Sequence, residues 1–245
     1  EIIEMEKYWG IICLCILMTV TVSAHVSCFP YERDALLSFM NSSSLDPNSL
    51  NWKGFNCCEW SHVECSKYTS HVTTLDLPFI IEDYSLKTGN RLVPDLFQLK
   101  SLEYLDLRWN NFQGPLPTEL FGLRKLRHLD LSYNSFEVEI PKNIGSLHSL
   151  TYLGLHWAGF KGRIPWQLGN LSQLQFLYLS DDPGEMYSSS SGWTENLREL
   201  KYLDLSWVVL NMTNDQLEAS ISHLHNLHHL DLSYCSLSGR IPNSI

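Results

Sequence analysis

A short leucine pattern recurs along most of the chain. Its regular copies have the form LxxLxL, are spaced 24 residues apart, and begin at Leu102, Leu126, Leu150 and Leu174. Three looser copies begin at Val72, Leu200 and Leu227. Seven copies in one register are too many for coincidence, and a period of this length predicts a stack of similar structural units.

The spacing of the leucines predicts what each unit is. Two leucines such as Leu105 and Leu107 point to the same side of a short strand, while the residue between them points to the other side. No single copy can bury its own leucines, so the copies must stack. The pattern therefore predicts an α/β solenoid, a leucine-rich-repeat horseshoe with a parallel β-sheet on its concave side.

Residues after each strand predict how the coil turns. Asn110 and Asn134 occupy a ladder position, where an amide can satisfy backbone groups, and a phenylalanine such as Phe112 follows inside. The equivalent position in other copies holds Ala158, Asp182, Val208 or Cys235. We expect Cys235 to be a buried, unreactive thiol. Residues 181–192 predict a mobile surface loop in place of a regular turn.

The first 24 residues predict a cleaved signal peptide. An uncharged run of 12 residues from Ile11 to Val22 follows Lys7 and precedes a small-residue site ending at Ala24. Met5 is the expected initiator, which leaves residues 1–4 as extra sequence. The alternative, a membrane anchor, is disfavoured because the uncharged stretch is short and contains polar residues. Removal would leave a secreted protein.

Four of the remaining cysteines are clustered, at Cys28, Cys57, Cys58 and Cys65. They allow three pairings in an oxidising compartment, and bonding between adjacent cysteines is rare, so Cys28 and Cys65 each join one of the middle pair. Apolar residues at Leu36, Phe39 and Met40 predict a short helix before them. The expected organisation is a cysteine-rich cap with one helix over residues 25–71 and about seven repeats over residues 72–245, the last incomplete.

Several motifs resemble one family. NNFQGPLP at Asn110–Pro117, the segment Ala158–Ser180, ERDALLSF at Glu32 and CCEWSHVEC at Cys57 are similar to the plant-specific extracellular leucine-rich repeats and their N-terminal cap. The resemblance covers residues 28–245 and is closest to receptor-like proteins and receptor kinases of plant surface immunity, in particular the group that resembles receptors for fungal xylanase. It implies the disulfides Cys28–Cys57 and Cys58–Cys65.

Candidate binding residues lie on the predicted concave strands, where repeat proteins present their variable side chains. Many are aromatic, which suits capture of a protein or peptide. The alternative is that the aromatic rings only shield the sheet and that Asp is a common residue of this repeat. The candidates are Tyr104, Asp106, Trp109, His128, Asp130, Tyr133, Tyr152, His156, Trp157, Phe176, Tyr178, Tyr202, Asp204, Trp207, His229 and Asp231.

Other chemistry is weakly indicated. The chain of 245 residues carries a net charge of −10, which disfavours binding to nucleic acid or anionic lipid. No catalytic or phosphate-binding motif is present, and the histidines near His225 do not converge, so we predict no enzyme activity, cofactor or metal site. Sequons at Asn41, Asn170 and Asn211 predict surface glycans.

These observations predict the ligand-recognition module of a plant cell-surface receptor, in immunity or development. The resemblance implies a protein or peptide ligand, a co-receptor kinase as partner, and a location at the cell surface on the extracellular side of the plasma membrane, or secretion if the chain is complete as given. The sequence stops inside a repeat, so we expect a fragment whose membrane span is missing at the C-terminal side. The alternative is a secreted inhibitor of a pathogen's wall-degrading enzyme, similar to polygalacturonase inhibitors.

Overall fold

The computed structural model describes residues 27–43, 50–80, 90–182, 184–189 and 192–237. The predicted signal peptide and the last eight residues of the chain lie outside the described residues. Two α-helices are described, α1 (Pro30–Ser42) and α2 (Asn214–Ile221). The strands, in chain order, are β1 (Val63–Cys65), β2 (Val72–Asp76), β3 (Tyr104–Asp106), β4 (His128–Asp130), β5 (Tyr152–Gly154), β6 (Gly162–Arg163), β7 (Phe176–Tyr178), β8 (Met186–Ser188), β9 (Tyr202–Asp204), β10 (Val209–Leu210) and β11 (His229–Asp231).

The main sheet has the strand order β1-β2-β3-β4-β5-β7-β9-β11. From β2 onward every neighbouring pair is parallel, and equivalent repeat positions face each other, as Leu105 does Leu129. The repeated leucines from Leu105 to Leu203 on these strands are fully buried. The predicted solenoid with a parallel sheet is confirmed, because each of the seven copies supplies one parallel strand.

Short 3₁₀ segments form the opposite side of the coil. Three of them begin directly after Pro117, Pro141 and Pro165, whose fixed φ suits the entry to a helical turn. Each segment ends at a fully buried leucine, as at Leu123 and Leu147. The Leu-Pro and Ile-Pro corners of the sequence therefore mark where each coil bends away from the sheet.

A second, three-stranded parallel sheet has the order β10-β8-β6. The prediction that residues 181–192 form a mobile loop is wrong in its middle, since Met186–Ser188 are strand β8, paired on both sides. Met186 is 1% exposed and anchors the strand in the core. Backbone pairing with β6 and β10 creates this strand, and two or three residues are too few for a periodicity that sequence could reveal.

The N-terminal cap closes one end of the solenoid. In α1 the side chains of Leu36 and Phe39 are fully buried, and the Phe39 ring lies 6.0 Å from that of Phe112. The pairings Cys28–Cys57 and Cys58–Cys65 implied by the family resemblance are confirmed. Together they tie the start of α1 and the strand β1 to the same 3₁₀ turn at Cys57–Glu59.

The buried Glu32 joins this cap to the first repeat. Its carboxylate accepts a hydrogen bond from the backbone N–H of Val72 at 3.2 Å and lies 3.1 Å from the ring of His71. Glu32 is fully buried, so these partners offset the cost of removing its charge from water.

The asparagine ladder works as predicted at two repeats. Asn110 accepts from Ile80 N–H and donates to Leu77 O, and Asn134 accepts from Phe112 N–H and donates to Leu107 O. At Ala158 a backbone carbonyl takes over the acceptor role, since Phe136 N–H donates to Ala158 O at 2.9 Å.

The next repeats depart from the predicted ladder. Asp182 is exposed, and Asp181 instead accepts the N–H of Phe160 at 2.8 Å. The expectation for Asp182 is therefore wrong by one residue, because Asp181 lies buried beside the previous coil. Cys235 is a buried free thiol, as expected, and its Sγ lies 2.9 Å from Leu205 O, where Asn110 has its equivalent contact with Leu77 O.

Helix α2 was not predicted. It replaces a 3₁₀ segment in the repeat that begins at Leu200, where the Ile-Pro corner is missing. A capping box starts it: the Thr213 hydroxyl accepts from Gln216 N–H, and the Gln216 side chain accepts from Thr213 N–H. The signal TNDQ was readable as a Thr-x-x-Gln box.

Candidate ligand-binding face

An aromatic row follows the main sheet on its concave side, from the third position of each repeat. Ring centroids of Tyr104 and His128, and of His128 and Tyr152, are 4.1 Å apart and stacked. At β7 the fifth-position ring of Tyr178 bridges the row, 5.4 Å from Tyr152 and 4.7 Å from Tyr202. Tyr202 then stacks on His229 at 4.2 Å. We call this the strand row: Tyr104, His128, Tyr152, Phe176, Tyr202 and His229. The register of the parallel strands brings these side chains together.

A second row lies where the strands end, at the eighth position of each repeat. Here Trp109, Tyr133, Trp157, Trp207 and Tyr234 have positive φ values between 50° and 69°. This left-handed backbone is uncommon for bulky residues. Trp109 stacks on Tyr133 at 3.8 Å and Trp207 on Tyr234 at 4.1 Å. We call these five residues the turn row.

The turn row is interrupted at Asp181. This residue is an aspartate whose buried side chain accepts the Phe160 N–H, so the eighth position between Trp157 and Trp207 carries no ring. Trp157 is 40% exposed, while Trp109 and Tyr133 in the stacked part are half-buried. Exposed aromatic surface next to a gap in the row is a suitable place for an inserted side chain.

The carboxylates of the fifth position have a structural role. Each Asp accepts the backbone N–H two residues further on: Asp106 from Arg108, Asp130 from Ser132, Asp204 from Ser206 and Asp231 from Ser233. These are Asx turns, which fix the chain direction after each strand. Asp106 and Asp130 are 1% exposed beneath the aromatic row, whereas Asp204 and Asp231 are half-buried.

The centre of the face is a buried polar network. The Tyr152 hydroxyl donates to Asp130 Oδ2 at 3.1 Å, and the Ser132 hydroxyl lies 2.9 Å from His156 Nδ1. Burial, together with Asp130, raises the pKa of Tyr152 well above its usual value. Burial also lowers the pKa of His156, so its ring is neutral at neutral pH.

Burial also shifts the pKa values of side chains on β3 and β4. It raises the pKa of Asp106 to about 6 and lowers the pKa of His128 to about 4. The pKa of Tyr104, which stacks on His128, rises to about 12 for the same reason. Asp106 is paired with Arg108, whose Nε lies 3.0 Å from its Oδ2. Donor atoms of Asp106, His128 and Asp130 all lie within 4.8 Å of one another, so this group could hold a metal.

Gly154 makes room for this network. It occupies the fifth position, where neighbouring repeats have Asp, and a Cβ at Gly154 would lie 2.6 Å from Asp130 Oδ1 and 2.9 Å from Ser132 Oγ. The Asp130 carboxylate therefore extends across the space that a side chain at Gly154 would need.

The sequence-predicted candidates all lie on the strands of this face or on the turns directly after them. Whether they contact a ligand stays a prediction. Sequence reasoning missed Arg108, Ser132 and Phe79, whose ring stacks on Trp109 at 5.2 Å. A basic residue two positions after a strand Asp was the available signal for Arg108. The sequon residues Asn41, Asn170 and Asn211 have exposed side chains, which leaves the predicted glycans room.

This arrangement defines a leucine-rich-repeat protein with an aromatic concave face, and comparison with known proteins supports the class. A leucine-rich repeat region matches residues 75–244, and a leucine rich repeat N-terminal domain matches residues 29–66. The chain therefore belongs to the leucine-rich repeat family. None of the described helices is long and apolar enough to cross a membrane.

The relatives found by sequence similarity are plant receptor-like proteins, which confirms the predicted resemblance. Receptor-like protein 48 of Arabidopsis thaliana is 32% identical over 125 residues, 46% of this chain and 15% of that protein. Receptor-like protein EIX2 of Solanum lycopersicum is 37% identical over 94 residues, 35% of this chain and 9% of that protein. The matches thus span a small part of these longer relatives.

Solved structures give the same class. The structure of PEPR1-AtPEP1 superposes with a TM-score of 0.67 at 28% identity, covering 83% of this chain and 28% of that chain. The plant peptide hormone receptor RGFR1 in complex with RGF2 superposes with a TM-score of 0.59 at 28% identity, covering 76% of this chain and 27% of that chain.

Proposed function

We propose that the chain is the extracellular ligand-recognition module of a plant cell-surface receptor in immunity or development, and that it binds a protein or peptide on its concave face. The observation that carries the proposal is the pair of aromatic rows, which place stacked rings on six successive repeats. Aromatic side chains dominate the binding energy of protein interfaces.

Trp157 is the expected anchor of this surface. It is 40% exposed and stands beside the gap that Asp181 leaves in the turn row. The half-buried Tyr133, Tyr152 and Tyr178 of the same face are held by ring contacts between Tyr152 and Tyr178 and with His156. A ligand side chain would therefore meet a pre-formed surface and lose little free energy to ordering the protein.

The relatives support a peptide or protein as ligand. RGFR1 is described as a peptide hormone receptor, and its solenoid shares this fold at 28% identity. By the same family reasoning, signalling would require a co-receptor kinase or an attached kinase domain. The two disulfides support a location in the secretory pathway and at the cell surface, because such bonds persist in oxidising compartments.

The test is selection of a peptide ligand followed by substitution on two faces. The secreted chain is used to select binders from a displayed peptide library, and the affinity of a selected peptide is measured by calorimetry. We expect Trp157→Ala to weaken binding by about tenfold or more, as removal of an interface anchor does. Tyr152→Ala should also weaken it.

Trp166→Ala is the matched control. Trp166 is 65% exposed on the 3₁₀ segment Trp166–Asn170, away from the main sheet, so its loss should leave the affinity unchanged. If Trp157→Ala and Tyr152→Ala both left the affinity unchanged, or if Trp166→Ala alone reduced it, the concave face would not be the binding surface.

A further inference from the structure

Three metal-binding side chains meet at the start of the strand row. Asp106 ends β3, and His128 and Asp130 begin and end β4. The parallel register sets Asp106 directly opposite Asp130 and His128 opposite Tyr104. One donor atom from each of the three residues lies within 4.8 Å of the other two.

Two possible ligand atoms of these residues lack a hydrogen bond. His128 Nε2 and Asp106 Oδ2 are buried, and neither finds a hydrogen-bond partner among the residues that the structure describes. Arg108 Nε lies 3.0 Å from Asp106 Oδ2 as an ion pair, outside hydrogen-bond geometry. Asp106 is 1% exposed. Buried polar atoms in folded proteins nearly always have partners, so His128 Nε2, which has neither a hydrogen bond nor an ion pair among the described residues, requires an explanation.

The imidazole of His128 is held in one orientation. Its ring is sandwiched between those of Tyr104 and Tyr152, both 4.1 Å away and within 14° of parallel. This stack keeps the ring plane fixed beside Asp106 and Asp130. A neutral imidazole with an unused nitrogen is the form of histidine that binds a metal.

The charges around the group are unbalanced. Asp130 is 1% exposed and accepts its hydrogen bonds from neutral groups, Ser132 N–H and the Tyr152 hydroxyl. Arg108 pairs with Asp106, but its own side chain is 45% exposed. Two buried carboxylates with one peripheral cation are costly. A divalent cation between them would neutralise both and allow Arg108 to turn to solvent.

We propose that Asp106, His128 and Asp130 bind a divalent transition metal ion of the Zn²⁺ type. Carboxylate and imidazole ligands together suit Zn²⁺ and its neighbours, whereas Ca²⁺ and Mg²⁺ prefer oxygen ligands alone. Tyr152 orients Asp130 through its hydroxyl, as outer hydrogen-bond partners of metal ligands do. The site lies on the concave face but does not depend on the proposed receptor function.

The chain contains an internal comparison for this site. Asp204, His229 and Asp231 occupy the same repeat positions on β9 and β11, in the same register. There the Asp204 carboxylate already accepts from Ser206 N–H, the Ser206 hydroxyl and the Ser180 hydroxyl, and His229 is exposed. The second group has the same residue types, but the Asp204 carboxylate already has hydrogen-bond partners and is not expected to bind a metal.

Zn²⁺ titration of the full chain tests the proposal. After dialysis against a chelator, calorimetry should show one Zn²⁺ bound per chain, and Co²⁺ in place of Zn²⁺ should give a visible absorption band. His128→Phe keeps a ring in the stack but removes the nitrogen, and should lower the Zn²⁺ affinity at least about tenfold. His229→Phe, the matched control, should leave it unchanged.

Two further variants separate binding from folding. Asp106→Asn keeps an acceptor for Arg108 N–H and should lower the affinity as His128→Phe does, so the test does not depend on one variant being folded. Arg108→Ala removes the competing cation and should raise the affinity, which a merely structural role for the group would not explain. Unchanged Zn²⁺ affinity in both His128→Phe and Asp106→Asn would overturn the proposal, as would equal loss in His229→Phe.

Discussion

At the scale of single residues, the repeated Asp of each strand shows what sequence could and could not reveal. Its position on the concave face was readable from the alternation of leucines. The hydrogen bond that it accepts from the N–H two residues on, as Asp130 does from Ser132, was not, because the backbone of that turn is also hydrogen-bonded to the following coil. The same residue therefore fixes the backbone and contributes charge to the face, and only Asp106 and Asp130 are buried while doing so.

Gly154 gives the first prediction at this scale. Gly154→Ala should lower the free energy of unfolding by about 1–3 kcal/mol, because the added methyl group would displace the Asp130 carboxylate that Ser132 and Tyr152 hold. Urea unfolding monitored by circular dichroism measures the change. Gly192→Ala is the control, since its Cβ would meet nothing closer than Glu195 at 3.8 Å. Equal stability of the two variants would contradict this account.

Cys235 gives the second prediction at the scale of single residues. Burial raises the pKa of its thiol to about 12, and the side chain is 2% exposed, so the reactive thiolate is scarce and covered. Iodoacetamide at pH 8 should leave the Cys235 peptide unmodified in native protein and alkylate it fully in concentrated urea, as read by mass spectrometry. Rapid alkylation of the native protein would show that the last described coil opens readily.

At the scale of elements, long periodic features were predictable and short paired ones were not. The repeat strands and α1 follow from spacing over many residues, as with Leu36 and Phe39. Strand β8 has three residues and exists because β6 and β10 flank it, so no local signal distinguishes it from a loop. Helix α2 was predictable from its capping box, but the leucine spacing of the repeats carries no signal for it.

The start of α2 carries two roles that substitution can separate. Thr213 caps the helix and also completes the sequon at Asn211. Thr213→Asp and Thr213→Ala should both abolish a glycan at Asn211, but only Asp retains the cap. We expect Thr213→Ala to be about 1 kcal/mol less stable than Thr213→Asp. Intact mass and thermal unfolding measure the two effects, and equal stability would argue against the cap.

At the scale of the whole molecule, each coil of the solenoid packs against its neighbours, and the disulfide-bonded cap covers one end. The repeat period predicted the sheet, the buried leucines and the asparagine ladder at Asn110 and Asn134. It did not predict the inward turn of Asp181, because that depends on which backbone N–H groups of the previous coil remain unpaired. The gap in the turn row follows from this one substitution.

The two disulfides should contribute unequally to stability. Cys28–Cys57 spans 29 residues and Cys58–Cys65 spans 7, so the longer loop restricts the unfolded chain more. Cys28→Ala with Cys57→Ala should cost about 1 kcal/mol more than Cys58→Ala with Cys65→Ala. Urea unfolding of the two double variants measures the difference. A larger loss from the shorter loop would mean that native contacts around Cys65 dominate.

Strand β1 runs antiparallel to β2, while the other neighbouring pairs of the main sheet are parallel. A duplicated coil placed on that side would meet a strand of the wrong direction and the buried face of α1. Gene duplication can therefore add coils within the array or on the side away from β1. It cannot add a coil at the β1 edge of the main sheet, next to the cap. Over evolutionary time the cap and first coil should be inherited as one block, while the number of coils beyond them varies.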